Sequence, residues 1–223
     1  MNNADEEKYQ NAVDYFIGKW KNVKKPFKHN EYYAKKKQIP IESSAFRYID
    51  DQRLVSISET GEKHYNKRKL SELPQLISKL QPKNAILNAC EYFIFNFEFL
   101  YYKIMNFHMN ELLDDIQSIT NHAPVIRQNY KKDDPIVTPT LQIQLFALIY
   151  LLDRHFFQMF PNDFGIQFTS RSLIFYKIFD CFRKIIDDID SFSTRENALI
   201  TPFQYLPSPG SGLLITFVRN IPF

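Results

Sequence analysis

Ala85-Ile86-Leu87-Asn88-Ala89-Cys90-Glu91-Tyr92-Phe93-Ile94-Phe95-Asn96-Phe97-Glu98-Phe99-Leu100-Tyr101-Tyr102-Lys103-Ile104-Met105 reads as one long helix. Phe93, Phe97, Leu100, Tyr101 and Ile104 recur at helical spacing and share a face. Ile94, Phe95, Phe99 and Tyr102 make the opposite side apolar as well. A helix that is apolar nearly all round is packed on both sides, so this stretch belongs at the centre of a helical body. Glu91, Asn96, Glu98 and Lys103 interrupt it, so it is not read as a membrane span.

Further helices follow on either side. Leu70, Leu73, Leu76, Ile77 and Leu80 form a short apolar stripe, with Pro74 placed in the first turn or at a kink. Asn110–Thr120 points Leu112, Leu113, Ile116 and Ile119 to one side. Residues 121–139 are polar and carry three prolines, which predicts a loop and an internal boundary. Thr138-Pro139 resembles an N-cap with proline at the first helical position. From there a helix runs to about Phe160, with Leu141, Leu145, Leu148, Leu152 and Phe156 on one stripe. Residues 163–169 read as a short helical turn. Residues 172–192 read as a longer helix that buries Phe175, Phe179, Phe182, Ile185, Ile186 and Ile189. Residues 193–223 are punctuated by Pro and Gly and read as extended, with a strand around Ile215, Phe217 and Val218.

The N-terminal part is different. Asp5–Trp20 is an amphipathic helix on Tyr9, Ala12, Val13, Phe16, Ile17 and Trp20, with acids in its first turn. Residues 19–40 carry eight lysines against one acid and read as an exposed irregular segment. Residues 45–58 read as a hairpin turning at Asp50-Asp51-Gln52. The fold class is therefore mainly α: a winged-helix-like N-terminal part, a stack of paired antiparallel helices, and an extended C-terminal tail. The expected divisions are 1–60, 61–192 and 193–223.

The charge is asymmetric. Residues 1–84 hold 17 Lys and Arg against 11 Asp and Glu, while the remaining residues hold 11 against 14. Lys24, Lys25, Lys28, Lys35, Lys36 and Lys37, interleaved with aromatics, are therefore a candidate anion-binding set in a basic winged-helix nucleic-acid binder. The plainer reading is a solvated lysine-rich surface. The aromatic excess, 21 Phe and 13 Tyr, runs alongside abundant Ile, Asn and Lys, a pattern that an AT-rich coding sequence also produces.

No catalytic chemistry is visible in the pattern. The five glycines never gather into a phosphate-cradling loop, the five histidines are scattered, and there is no Cys-x-x-Cys. His108 reads as a helix-end residue. Cys90 and Cys181 lie in apolar stretches and read as buried, reduced thiols of a cytoplasmic protein. Asp114-Asp115 and Asp187-Asp188 are placed on the solvent faces of their helices. The amino terminus is polar and acidic and shows no secretory signal. No cofactor, metal ligand or catalytic residue is assigned.

Three short stretches carry more specific information when read in order. Val13-Asp14-Tyr15-Phe16-Ile17-Gly18-Lys19-Trp20, followed by Lys25-Pro26-Phe27, resembles the end of the winged-helix segment of NACHT and WD-repeat proteins. Tyr65-Asn66-Lys67-Arg68-Lys69-Leu70-Ser71-Glu72-Leu73-Pro74 resembles the family's next element. Pro209-Gly210-Ser211-Gly212-Leu213-Leu214-Ile215-Thr216 resembles the lead into its first propeller blade. Between them, Asn96, Phe97, Leu100 and Lys103, then Leu112, Leu113 and Asp115, then Pro161–Gln167 with Arg171 and Leu173, also resemble family elements. Phe160 stands there in place of the family's Asp. The resemblance spans about residues 9–216.

The resemblance implies a non-catalytic connector in a NACHT and WD-repeat type signalling protein. Its partners would be the NTPase and WD-repeat modules of a longer chain, or other proteins. It implies a packing role for Tyr15, Phe16, Trp20, Arg68, Leu70, Leu73 and Pro74. The family's NTPase core is not among these residues, and Phe-Val-Arg-Asn-Ile-Pro-Phe follows Thr216 where the family starts a blade. NTP hydrolysis is therefore not carried over to this chain.

Overall fold

In the computed structural model, which describes residues 3–21, 23, 25–28, 31–38, 42–47 and 49–195, the chain is mainly α. Helix α1 (Asn3–Phe16) stops short of Trp20. Gly18, at φ +84°, takes the left-handed conformation that ends it. Gly18 N donates to Tyr15 O and Lys19 N to Asp14 O, a Schellman closure that needs a residue without a Cβ penalty.

The described residues of the basic segment include regular elements, contrary to the sequence expectation. Strand β1 (Lys25–Lys28) pairs antiparallel with β2 (Glu42–Arg47), and α2 (Glu31–Lys37) lies between them. The hairpin also falls elsewhere. β3 (Val55–Ile57) pairs with β4 (Lys63–Tyr65), and the turn lies at residues 58–62, where Gly61 has φ +83°. Ser58 Oγ accepts from Glu62 N and closes this turn, a role that Asp50-Asp51-Gln52 does not have. This part thus runs helix, strand, helix and strand, followed by a hairpin.

Helix α3 (Lys67–Ile77) is capped by Asn66, whose Oδ1 accepts from Lys69 N at 2.9 Å. Pro74 stands well inside α3 rather than in its first turn. The long helix expected over 85–105 is broken. α4 (Pro82–Ala89) passes into a π-helical turn at Cys90–Ile94, and α5 (Phe97–Asn106) restarts after it. Asn96 is the reason for the restart: its Oδ1 accepts from Phe99 N at 3.0 Å, so the side chain caps a new helix instead of sitting inside the old one. The change of phase lets Phe93, Ile94, Phe95, Phe97, Phe99 and Leu100 all be buried.

After α6 (Met109–Thr120), the expected loop contains α7 (Ala123–Asn129), with Pro124 in its first turn. Helix α8 (Val137–Met159) packs against α6 and α7. The short helix expected at 163–169 is α9 (Phe164–Ser172), and of the helix expected over 172–192 only α10 (Asp180–Arg195) is α-helical, a 3-10 turn at Leu173–Phe175 and a further turn standing before it. Helix continues through Arg195, into the span expected to be extended. Residues 196–223, including the expected strand at Ile215, Phe217 and Val218, lie outside the described residues.

The core is aromatic. Phe95 meets Phe146 and Phe182 at ring-centroid distances of 5.7 and 5.3 Å, both edge-on. Phe164 meets Phe157 edge-on at 4.8 Å. Two buried ion pairs run through this apolar body. Arg171 of α9 donates twice to Asp153 of α8, Nε to Oδ2 and Nη2 to Oδ1, each at 2.6 Å.

Lys103 of α5, 1% exposed, has its Nζ 2.7 Å from Asp115 Oδ2 of α6. The same ammonium donates to Leu70 O of α3 at 2.9 Å and lies 4.6 Å from the Phe107 ring centroid. Asp115 is thus buried, not on the solvent face as its helical phase suggested; the lysine at an apolar position of α5 supplies its counter-charge.

Desolvation outweighs the Lys103 attraction and pushes the Asp115 carboxyl up to about 6, from an ordinary 3.8. The unfolded chain therefore releases this proton first, and the group's contribution to stability falls as pH rises through that window. Between pH 4 and 6.5 the wild type should lose about 2 kcal/mol more unfolding free energy than Asp115→Asn. Urea titrations at several pH values measure this, and parallel profiles for the two proteins would refute it. Lys103→Met strands the carboxylate and the Leu70 carbonyl and should cost about 3–5 kcal/mol at neutral pH, read in the same titrations.

Candidate interaction surfaces

Two regions gather the residues of interest. The first is the joint between the N-terminal part and the helical body. α1 packs against α3 and brings the first two motif stretches together. Phe16, Leu70 and Leu73 are buried there, and Pro74 is buried within α3. The Arg68 guanidinium carbon lies 5.8 Å from the Phe16 ring centroid, and Arg68 Nε pairs with Glu72 Oε1 at 2.9 Å. Tyr15 packs edge-on against Phe16 at 5.2 Å. Trp20 is half-buried past the end of α1.

Polar bonds reinforce the joint. Lys69 Nζ donates to Gln52 O at 2.6 Å, and Lys21 Nζ bonds Asp51 Oδ2 at 2.9 Å. These contacts line a cleft of about 450 Å³, bordered by Ile17, Asp51, Lys69, Tyr92, Asn96 and Glu98. Burial lowers the Lys69 pKa, with Asp51 and Glu98 opposing that shift. Tyr92 is pushed up to about 12, chiefly by desolvation. Lys21 and Arg53 hold Asp51 below the usual carboxylate range.

The basic set is not gathered in one place. Lys35, Lys36 and Lys37 are exposed in the last turn of α2, and Lys25 and Lys28 belong to β1. Lys24 lies outside the described residues. His108 caps α6, its Nδ1 accepting from Asn110 N and its Nε2 bonding the Gln158 amide. Cys90 is buried but Cys181 is only half-buried. The neighbouring Cys181 thiol and then burial push Cys90 up, while the Cys90 thiol holds Cys181 down against its own burial. Among the described residues, no three of His, Cys, Asp and Glu converge on a metal-sized space.

The second region is the outer face of α8. Of its stripe, Leu141, Leu148 and Leu152 face outward and Leu145 is half-buried against the core, while Ile143, Phe146, Ile149, Tyr150 and Phe157 enter the core. Leu141 is 44% exposed, Leu148 49%, Leu152 58% and Met159 66%. Beside this stripe, Thr120, Arg127, Leu141, Gln144, Leu145 and Leu148 line an apolar groove of about 410 Å³. Helical periodicity found the stripe but not its direction, because α8 carries two apolar faces. The choice is made by the aromatic rings and by Asp153, which must reach Arg171.

No family model, curated protein or solved structure matches this chain. The geometry above therefore stands as the basis for a functional reading.

Opposite outcomes are expected from neighbouring α8 positions. Phe146→Ala should cost about 3–5 kcal/mol of stability. Leu148→Lys, two residues away, should stay within about 0.5 kcal/mol of wild type. Thermal and urea unfolding check both; a comparable loss for Leu148→Lys would mean that the stripe is covered within the chain.

Proposed function

We propose that this chain is a non-catalytic connector of a NACHT and WD-repeat type signalling protein, passing a change of position from one attached module to another. The observation that carries the reading is the α1–α3 joint. Two motif stretches about fifty residues apart meet there through Phe16, Arg68, Leu70 and Leu73. A relay requires such a joint: displacement at one end is transmitted only if the segments between are packed and not tethered by a loose linker. The Lys69–Gln52 and Lys21–Asp51 bonds stiffen the same joint.

In this reading the chain carries no nucleotide chemistry, and its partners are protein modules. Tyr15, Phe16, Trp20, Arg68, Leu70, Leu73 and Pro74 act as packing residues that hold the angle between the winged-helix-like part and the helical body.

Sequencing the native transcript in both directions from this reading frame tests the proposal. The expected result is an upstream Gly-x-x-x-x-Gly-Lys-Ser/Thr and downstream WD-type repeats. A transcript that closes at Phe223 with no coding sequence before Met1 would overturn it.

A further inference from the structure

The outer seam of α8 reads the same from either end. Leu141, Leu145, Leu148, Leu152, His155 and Met159 are separated by 4, 3, 4, 3 and 4 residues. This is the alternation by which one helix packs into another, knobs into holes. We propose that a second copy of this chain docks on the seam, the two α8 helices lying antiparallel about a twofold axis beside Leu151.

The register follows from the spacing. In that arrangement Leu141 opposes Met159 of the second copy, Leu145 opposes His155, and Leu148 opposes Leu152. Each layer recurs on the other side of the axis, as a twofold interface requires. On the flank, Leu151 meets Leu151, and Gln144 meets Gln158, an amide against an amide. Both amides are already held in place within the chain, Gln144 by Arg127 and Gln158 by His108.

Charge permits the same pairing. From Val137 to Leu152 the helix has no charged residue, and the cation beside it, Arg127, is held on the Gln144 amide. Asp153, the acid on α8, is turned inward to Arg171. The seam is about 27 Å long at the rise of an α-helix. A single helix pair of that length buries less than the roughly 800 Å² per partner of a standard stable complex, so the dimer belongs with the weak, reversible associations. This inference stands apart from the connector reading: the seam is on α8 and the joint is at α1–α3.

Sedimentation equilibrium of the 223-residue chain, over micromolar to millimolar concentrations, tests it. The expected result is a monomer–dimer equilibrium that is lost in Leu148→Lys/Leu152→Lys, with the unfolding temperature of that variant unchanged. Mild oxidation of Leu151→Cys should give a cross-linked dimer, whereas Gln128→Cys on exposed α7 should give no more than the wild type. A chain that stays monomeric throughout, a dimer that survives the double lysine variant, or equal cross-linking at 128 and 151 would each overturn the proposal. Monomeric behaviour together with capture of a different protein on the seam would overturn it as well.

Discussion

The Lys103 ammonium is the contact on which the arrangement of the central helices depends. Pro74 has no backbone N–H, so the carbonyl four residues earlier in α3, Leu70 O, has no helical donor. That carbonyl is the acceptor of Lys103 Nζ. One residue on α5 thus repairs a defect in α3 and at the same time faces the Asp115 carboxylate of α6. Apolar side chains tolerate sliding past one another; an ammonium that must meet a specific carbonyl and a specific carboxylate does not. Replacing the group by a hydrophobe of similar volume together with its partner could leave stability intact, because buried pairs are costly to desolvate. What would be lost is the single register of three helices.

The break at Asn96 makes that register reachable. A continuous helix from Ala85 to Met105 would carry apolar residues around its whole circumference, and its neighbours would have to enclose it. The π-helical turn and the Asn96 cap divide the task between two shorter helices. Phe95 then turns toward Phe146 and Phe182, while Phe97 stacks with Phe164 at 5.9 Å and meets Phe192 at 5.2 Å. The Phe excess is largely accounted for by this packing, without recourse to stacking on bases. Arg171 and Asp153 do for α8 and α9 what Lys103 and Asp115 do for α5 and α6: each pair fixes the rotation of a helix that offers more than one apolar side.

Much of the fold was legible from local pattern. The strong amphipathic helices α6 and α10 follow from apolar spacing within a few residues. The Asn96 cap is a local bond, masked by the apolar run on both sides of it. Asp115 as a buried ion can be recognised only once another element is in place, since a polar residue is tolerated inside when its partner arrives from elsewhere. The strand pairing of Lys25–Lys28 with Glu42–Arg47 is likewise non-local, and a lysine-rich composition hides it. At the candidate joint, the residues of both motif stretches were named from the sequence. Their meeting, and the Arg68–Phe16 contact, are tertiary facts.

Helix α8 shows how such tertiary choices leave a surface with consequences. Of its two apolar faces, only the one bearing Phe146, Tyr150, Asp153 and Phe157 can serve the core, because the aromatic rings fill it and Asp153 must meet Arg171. The leucine face is therefore left outside by the demands of the buried one. A leucine seam of this length is unfavourable in water, and contiguous apolar surface of this kind marks a contact. The body behind it is fixed by two buried ion pairs, so the seam is presented on a helix whose rotation is already settled. Preorganisation of that sort lowers the entropic cost of association, so a narrow leucine strip suffices for the reversible pairing proposed for it.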